Sequence, residues 1–148
     1  MPFSIRPRRR LSLAYFLGFW LLMTLLVLST GPADAEWVLV HKGKDGMIVY
    51  VNPDTIRRKV EMVTMWALLD FKTVETFGDN QLFLSTKEKI EYDCDGERGR
   101  LLTFTHFSDH MGTGKAVYTD EGKGEVKWQP GEPKSVGQTL WNVACGKK

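Results

Sequence analysis

STKEKIEYDCDGERGRLLTFTHF, residues 85–107, is the stretch that decides the fold. From Ser85 to Cys94 the residues alternate. Ser85, Lys87, Lys89, Glu91 and Asp93 fall on one face, and Thr86, Glu88, Ile90, Tyr92 and Cys94 on the other, which is the period of a strand with one wet face. Asp95-Gly96-Glu97 supplies a turn. Arg98 to Phe107 then returns as a second strand, with Leu102, Phe104 and His106 opposite Leu101, Thr103, Thr105 and Phe107. Strands joined by so short a turn are antiparallel neighbours, so a meander is the economical topology.

Toward the amino terminus the same punctuation continues. Residues 60–71 form the longest strand candidate, with Val60, Met62, Thr64, Trp66 and Leu68 facing one way and Val63, Met65, Ala67, Leu69 and Phe71 the other; both faces are apolar, as in a central strand. Asn52-Pro53-Asp54 breaks the chain before it, and 37–40 and 47–51 read as a hairpin around Gly43-Lys44-Asp45-Gly46. Toward the carboxy terminus, 108–114 is a loop, 115–119 a short strand, 120–124 a turn and 126–129 a further strand, after which Pro130, Gly131 and Pro133 end sheet pairing. The period then changes: Val136, Leu140, Val143 and Ala144 are spaced as on a helix. Ser135-Val136-Gly137-Gln138 has the pattern of a capping box, and Gly146 closes the helix. The expected fold is α+β: an antiparallel sheet of about six strands with one carboxy-terminal helix packed on it.

The first 35 residues do not belong to that domain. Arg6, Arg8, Arg9 and Arg10 precede an apolar run, residues 11–28, whose polar members are Ser12 and Thr24. Ser29-Thr30-Gly31-Pro32 breaks it, and Ala33-Asp34-Ala35 fits the pattern read by signal peptidase. Residues 1–35 are therefore read as a signal peptide cut between Ala35 and Glu36, leaving 36–148 as the domain. The alternative is a retained anchor, because 18 apolar residues reach the lower limit of about 17 for a membrane span; only then would the domain be tied to a membrane. Either reading places the domain outside the cytoplasm.

Removing the leader takes away four of 20 basic and one of 18 acidic residues, leaving 16 and 17, net −1. The positive balance of the whole chain thus belongs to the leader, and nucleic acid is not an expected partner. Two cysteines remain, and an oxidising compartment joins Cys94 to Cys145. That pairing also argues against Cys94 as a nucleophile.

Sharper motifs fail on their own chemistry. Asp93-Cys94-Asp95-Gly96-Glu97 resembles part of a calcium loop, but it is flanked by strands and lacks the twelve-residue register. Gly112-Thr113-Gly114-Lys115-Ala116 resembles a phosphate loop without its first Gly, and Ala116 stands where a magnesium-binding hydroxyl belongs. His106, Asp109 and His110 lie near one another, yet His41 is distant and no ligand spacing recurs. No catalytic group, metal or cofactor is expected. Core packing accounts for Trp66, Trp128 and Trp141 rather than a ring-stacking platform.

Trp37, Tyr50-Val51-Asn52, Met65-Trp66, Ser85 leading into Glu91-Tyr92-Asp93-Cys94, Met111-Gly112-x-Gly114, Trp128, Pro130 and Trp141-Asn142-Val143-Ala144-Cys145 follow one another in an order and spacing that resembles the surface-adhesin protein E family of exported bacterial domains. The resemblance spans nearly all of 36–148. It implies the same sheet-and-helix fold, a non-enzymatic adhesion role with an extracellular-matrix or other envelope protein as partner, and a homodimer. The chain departs from the founding adhesin, which is lipid-anchored, in having no Cys after the apolar run. A periplasmic structural or assembly factor is the second reading, and a small hydrolase built on His106, Asp109 and His110 the last. The surface assigned to binding comprises Lys87, Lys89, Arg98, Arg100, His106, Asp109 and His110.

Overall fold

The computed structural model describes residues 36–122 and 126–146. The leader with its cleavage point at Ala35, and part of the 120–124 turn, lie outside them. Six strands pair antiparallel in sequence order: β1 (Val38–Lys42), β2 (Ile48–Lys59), β3 (Met62–Phe77), β4 (Gln81–Asp93), β5 (Arg98–Phe107) and β6 (Ala116–Asp120). A two-residue β7 (Gln129–Pro130) pairs with the start of β5, and helix α1 (Val136–Cys145) follows. The meander, the terminal helix and the Cys94–Cys145 disulfide are thus as the sequence indicates.

Several boundaries differ, each for a local reason. Asn52-Pro53-Asp54 does not end β2; it forms a bulge, the register with β3 shifting between Asn52 and Arg57. Side chains replace the missing ladder bonds there. Asn52 Oδ1 accepts the Asp54 amide at 3.1 Å, and Thr55 Oγ1 accepts the Trp66 amide at 3.0 Å while donating to the Asn52 carbonyl. Val60 is not a strand residue: it sits in the turn between β2 and β3 with φ 54° and is 82% exposed. The strand expected over 126–129 shrinks to β7, and Pro130 takes part in it opposite Arg98, as proline can on an edge.

The inner face of the sheet carries the main core. Val49 and Val51 of β2, Val63, Met65 and Ala67 of β3, and Tyr92 of β4 pack against Leu140, Trp141 and Ala144 of α1. Burying each large apolar side chain contributes about 1.5–3 kcal/mol before ordering costs, so this face accounts for much of the stability. Ser135 Oγ accepts the Gln138 amide at 3.1 Å to start α1, and Gly146 ends it at φ 71°, where a side chain would be strained. A second bulge, between Lys89 and Ile90 of β4 and the facing part of β5, pairs Lys89 with Thr103 but Ile90 with Leu101. Leu101 therefore shares the inner face with Phe104 and His106, not the opposite one as strict alternation predicts.

Beyond the helix the inner face continues as an aromatic cluster. His106 is its centre, stacked on Phe83 with ring centroids 4.0 Å apart and contacted by Phe77, Phe104 and Tyr118.

Candidate binding face

Register places the outer face residue by residue. Glu91 faces Arg100, Asp93 faces Arg98, Lys89 faces Thr103 and Lys87 faces Thr105. Four of the residues assigned from sequence, Lys87, Lys89, Arg98 and Arg100, therefore stand on one face of two adjacent strands. Arg98 Nε lies 2.9 Å from Asp93 Oδ2, and Arg100 Nη2 lies 2.5 Å from Glu91 Oε2. The Gly96 amide, and after it the Arg98 guanidinium, hold the Asp93 carboxyl below the ordinary carboxylate range. Those bonds use the first of the three carboxylates in the segment that superficially matched a calcium loop.

Trp128 completes this end of the face. Its ring lies under both guanidinium groups, 4.9 Å from Arg98 and 4.5 Å from Arg100, so it is a half-buried surface platform and not the core residue expected of it. At the other end Lys87 Nζ lies 5.1 Å from the centre of the Phe107 ring. The loop after β5 folds onto the same face as a 3-10 turn, His110–Gly112. Ser85 Oγ donates to the Asp109 carbonyl at 2.5 Å and accepts the Gly112 amide at 2.8 Å; Asp70 Oδ1 accepts the Met111 amide at 2.8 Å and meets His110 Nδ1 at 3.2 Å. Asp109 and His110 are exposed at that end.

His106 does not join them. It is 8% exposed on the inner face, its Nδ1 2.8 Å from Thr86 Oγ1, and burial lowers its pKa. The sheet stands between it and His110, so the triad of His106, Asp109 and His110 is not assembled, and the binding surface loses His106. Strand parity carried this signal, since His106 is in phase with Phe104.

The inner face holds a feature the sequence reading passed over. A cavity of about 200 Å³ lies between α1 and the sheet, walled by Ile90, Leu101, Leu140 and Trp141, with Glu88, Tyr92, Arg98, Arg100 and Gln129 as its polar members. Burial pushes the Glu88 carboxyl up from 4.5 to about 7. Glu88 is in phase with Ile90 and Tyr92, which was the available clue.

A small antiparallel meander, backed by one helix disulfide-bonded to the end of a strand and presenting a charged, Trp-bearing face, defines an α+β domain of the binding-module kind. Residues 37–146 match the model of the surface-adhesin protein E family, and the chain belongs to that family. Two solved structures of Haemophilus influenzae protein E share its fold. Crystal form II is 10% identical with TM-score 0.58, covering 79% of this chain and 91% of that one. The selenomethionine form is 12% identical with TM-score 0.56, covering 78% and 91%. At these identities the likeness is one of fold. No curated protein matches the chain.

Proposed function

We propose that this protein is an exported, non-catalytic binding domain of the cell envelope, engaging a protein partner through the outer face of β4 and β5. The observation that carries this reading is the convergence of Lys87, Lys89, Arg98 and Arg100 on one rigid face, with Trp128 beneath the two arginines. Trp and Arg are the side chains that most often dominate binding energy at protein interfaces, and a sheet presents them with little loss of conformational freedom. Membership in the surface-adhesin protein E family favours an extracellular-matrix protein or another envelope protein as the partner. Cleavage between Ala35 and Glu36 releases the domain from its leader in this reading, and the intact mass of the protein recovered from the envelope reports it.

The test is biolayer interferometry of the purified protein over immobilised matrix proteins. Saturable binding in the micromolar range is expected, weakened about tenfold or more by Trp128→Ala or by Arg98→Ala with Arg100→Ala, the loss typical of a central interface residue. Absence of saturable binding, or binding indifferent to all three changes, removes the reading. Protease treatment of intact cells separates surface display from a periplasmic role on the same face.

A further inference from the structure

The cavity between α1 and the inner face is bordered by Arg98 and Arg100, which also carry the proposed binding face, but its other walls play no part in that proposal. Its walls are apolar, yet two polar side chains of β4 border it. Tyr92 is 3% exposed, and its hydroxyl is buried with no hydrogen-bond partner among the described residues. An unpaired buried hydroxyl is costly, and natural folds rarely leave one without a water or a ligand to meet it. Glu88 stands two pleats along the same face, near enough for its charge to act on the Tyr92 hydroxyl, although no hydrogen bond joins them. The cationic groups along the wall are committed elsewhere, Arg98 to Asp93 and Arg100 to Glu91. Gly99 lets the arrangement form: a Cβ there would sit 3.1 Å from the Tyr92 ring.

From the orphaned Tyr92 hydroxyl, the unpartnered Glu88 carboxyl and the apolar walls of Ile90, Leu101, Leu140 and Trp141, we infer that this cavity is a binding site for a small primary amine carried on an apolar body. The ammonium donates to the Glu88 carboxylate and to the Tyr92 hydroxyl oxygen, and the ring or branched chain fills the remaining space. The size is suitable, because a cavity of about 150 Å³ is enough to take benzene and this one is about 200 Å³. Exposed Gln129, Pro130 and Gly137 border the site and provide its way in. A neutral alcohol satisfies the hydroxyl but leaves the carboxylate uncompensated, and a carboxylic acid would set two acids against each other. The amine answers both polar groups at once.

Titrating 2-phenylethylamine into the purified protein at pH 8, followed by calorimetry and by the NMR signals of Leu140 and Leu101, tests the site. Saturable binding with Kd near or below about 1 mM is expected. The charge-assisted contact predicts binding weaker by about tenfold or more for 2-phenylethanol, and likewise for the amine with Glu88→Gln. Tyr92→Phe keeps the ring and weakens the amine severalfold. No saturable response at about ten times that concentration, equal binding of the alcohol, or undiminished binding by a folded Glu88→Gln protein overturns the inference. A bridging water found in place with no uptake of amine does so as well. Matrix-protein binding by the outer face is measured separately, so either proposal can fail alone.

Discussion

Glu88 and His106 show how the inner face sets the chemistry of individual residues. Both sit on strands whose alternation was legible, but a carboxylate in phase with Ile90 and Tyr92 is ordinarily expected to escape to water, and its burial depends on a helix 50 residues later. The consequence is a pH dependence with a definite sign. Glu88 has its folded pKa raised from 4.5 to about 7, so the stability that its protonated form contributes is fully present below pH 4.5 and is lost as pH rises to 7. A tenfold change in proton affinity is about 1.4 kcal/mol, so the whole effect is at most about 3.5 kcal/mol. His106 runs the other way: its pKa is lowered, so its contribution is present above 6.5 and falls away on acidification. Glu88→Gln should therefore gain stability over the wild type progressively between pH 4.5 and 7, levelling above that, with the acid loss from His106 left exposed. Urea midpoints collected across this range check it. A difference curve that is flat with pH would mean the Glu88 carboxyl titrates normally.

Elements show which parts of the fold local sequence can specify. The β4–β5 hairpin and α1 were readable because alternation, a Gly-bearing turn, Ser135 and Gly146 each act on near neighbours. The bulges were not, for a physical reason. Leu101 and Leu102 are equally apolar, so nothing local says which faces inward, and the choice is made by pairing Ile90 with Leu101 across the sheet. Pro53 reads as a stop, yet Asn52 and Thr55 supply the missing bonds and the strand continues. The proposed binding face followed the same rule: parity placed Lys87, Lys89, Arg98 and Arg100 together, whereas Trp128 came to them from a loop. The β2–β3 turn is where local sequence and fold conflict. Lys59 pairs with Met62, leaving a two-residue turn whose first member, Val60, has φ 54°. Such a turn favours Gly there, and a β-branched residue in that region costs about 1–3 kcal/mol. Because Val60 is 82% exposed, little packing is lost on replacing it. Val60→Gly should raise stability by about 1 kcal/mol after the greater entropy of Gly in the unfolded chain is set against the relief, or roughly 4 °C in Tm for a domain of this size. A lower melting temperature in calorimetry would show that the turn is relaxed as it stands.

At the scale of the molecule, the sheet is built from neighbours in sequence, whereas the helix reaches it through a few long-range ties. Cys94, directly after β4, is bonded to Cys145 in the last turn of α1 across 51 positions. Beside it the Trp141 indole donates to the Asp93 carbonyl at 3.1 Å, and Arg58 Nη2 donates to the Ala144 carbonyl at 3.1 Å, meeting an acceptor the helix end leaves open. Ten residues make a marginal helix in water, so α1 depends on these ties and on burial of Leu140, Trp141 and Ala144. Closing a loop of this length is worth about 4 kcal/mol in the chain-entropy account, against a total stability of about 5–15 kcal/mol for small domains. Replacing both cysteines by Ala should lower the unfolding free energy measured with urea by about that amount, with a somewhat steeper slope because the unfolded chain without the crosslink is less compact. Hydrogen exchange locates the loss: amides of α1 should lose protection first and those of β3 last, since β3 is paired on both sides. A loss under about 1 kcal/mol would mean the indole, guanidinium and apolar contacts hold the helix unaided. The cavity at Glu88 lies between that helix and the sheet, so loosening α1 should also abolish amine uptake while leaving the β4–β5 outer face able to bind.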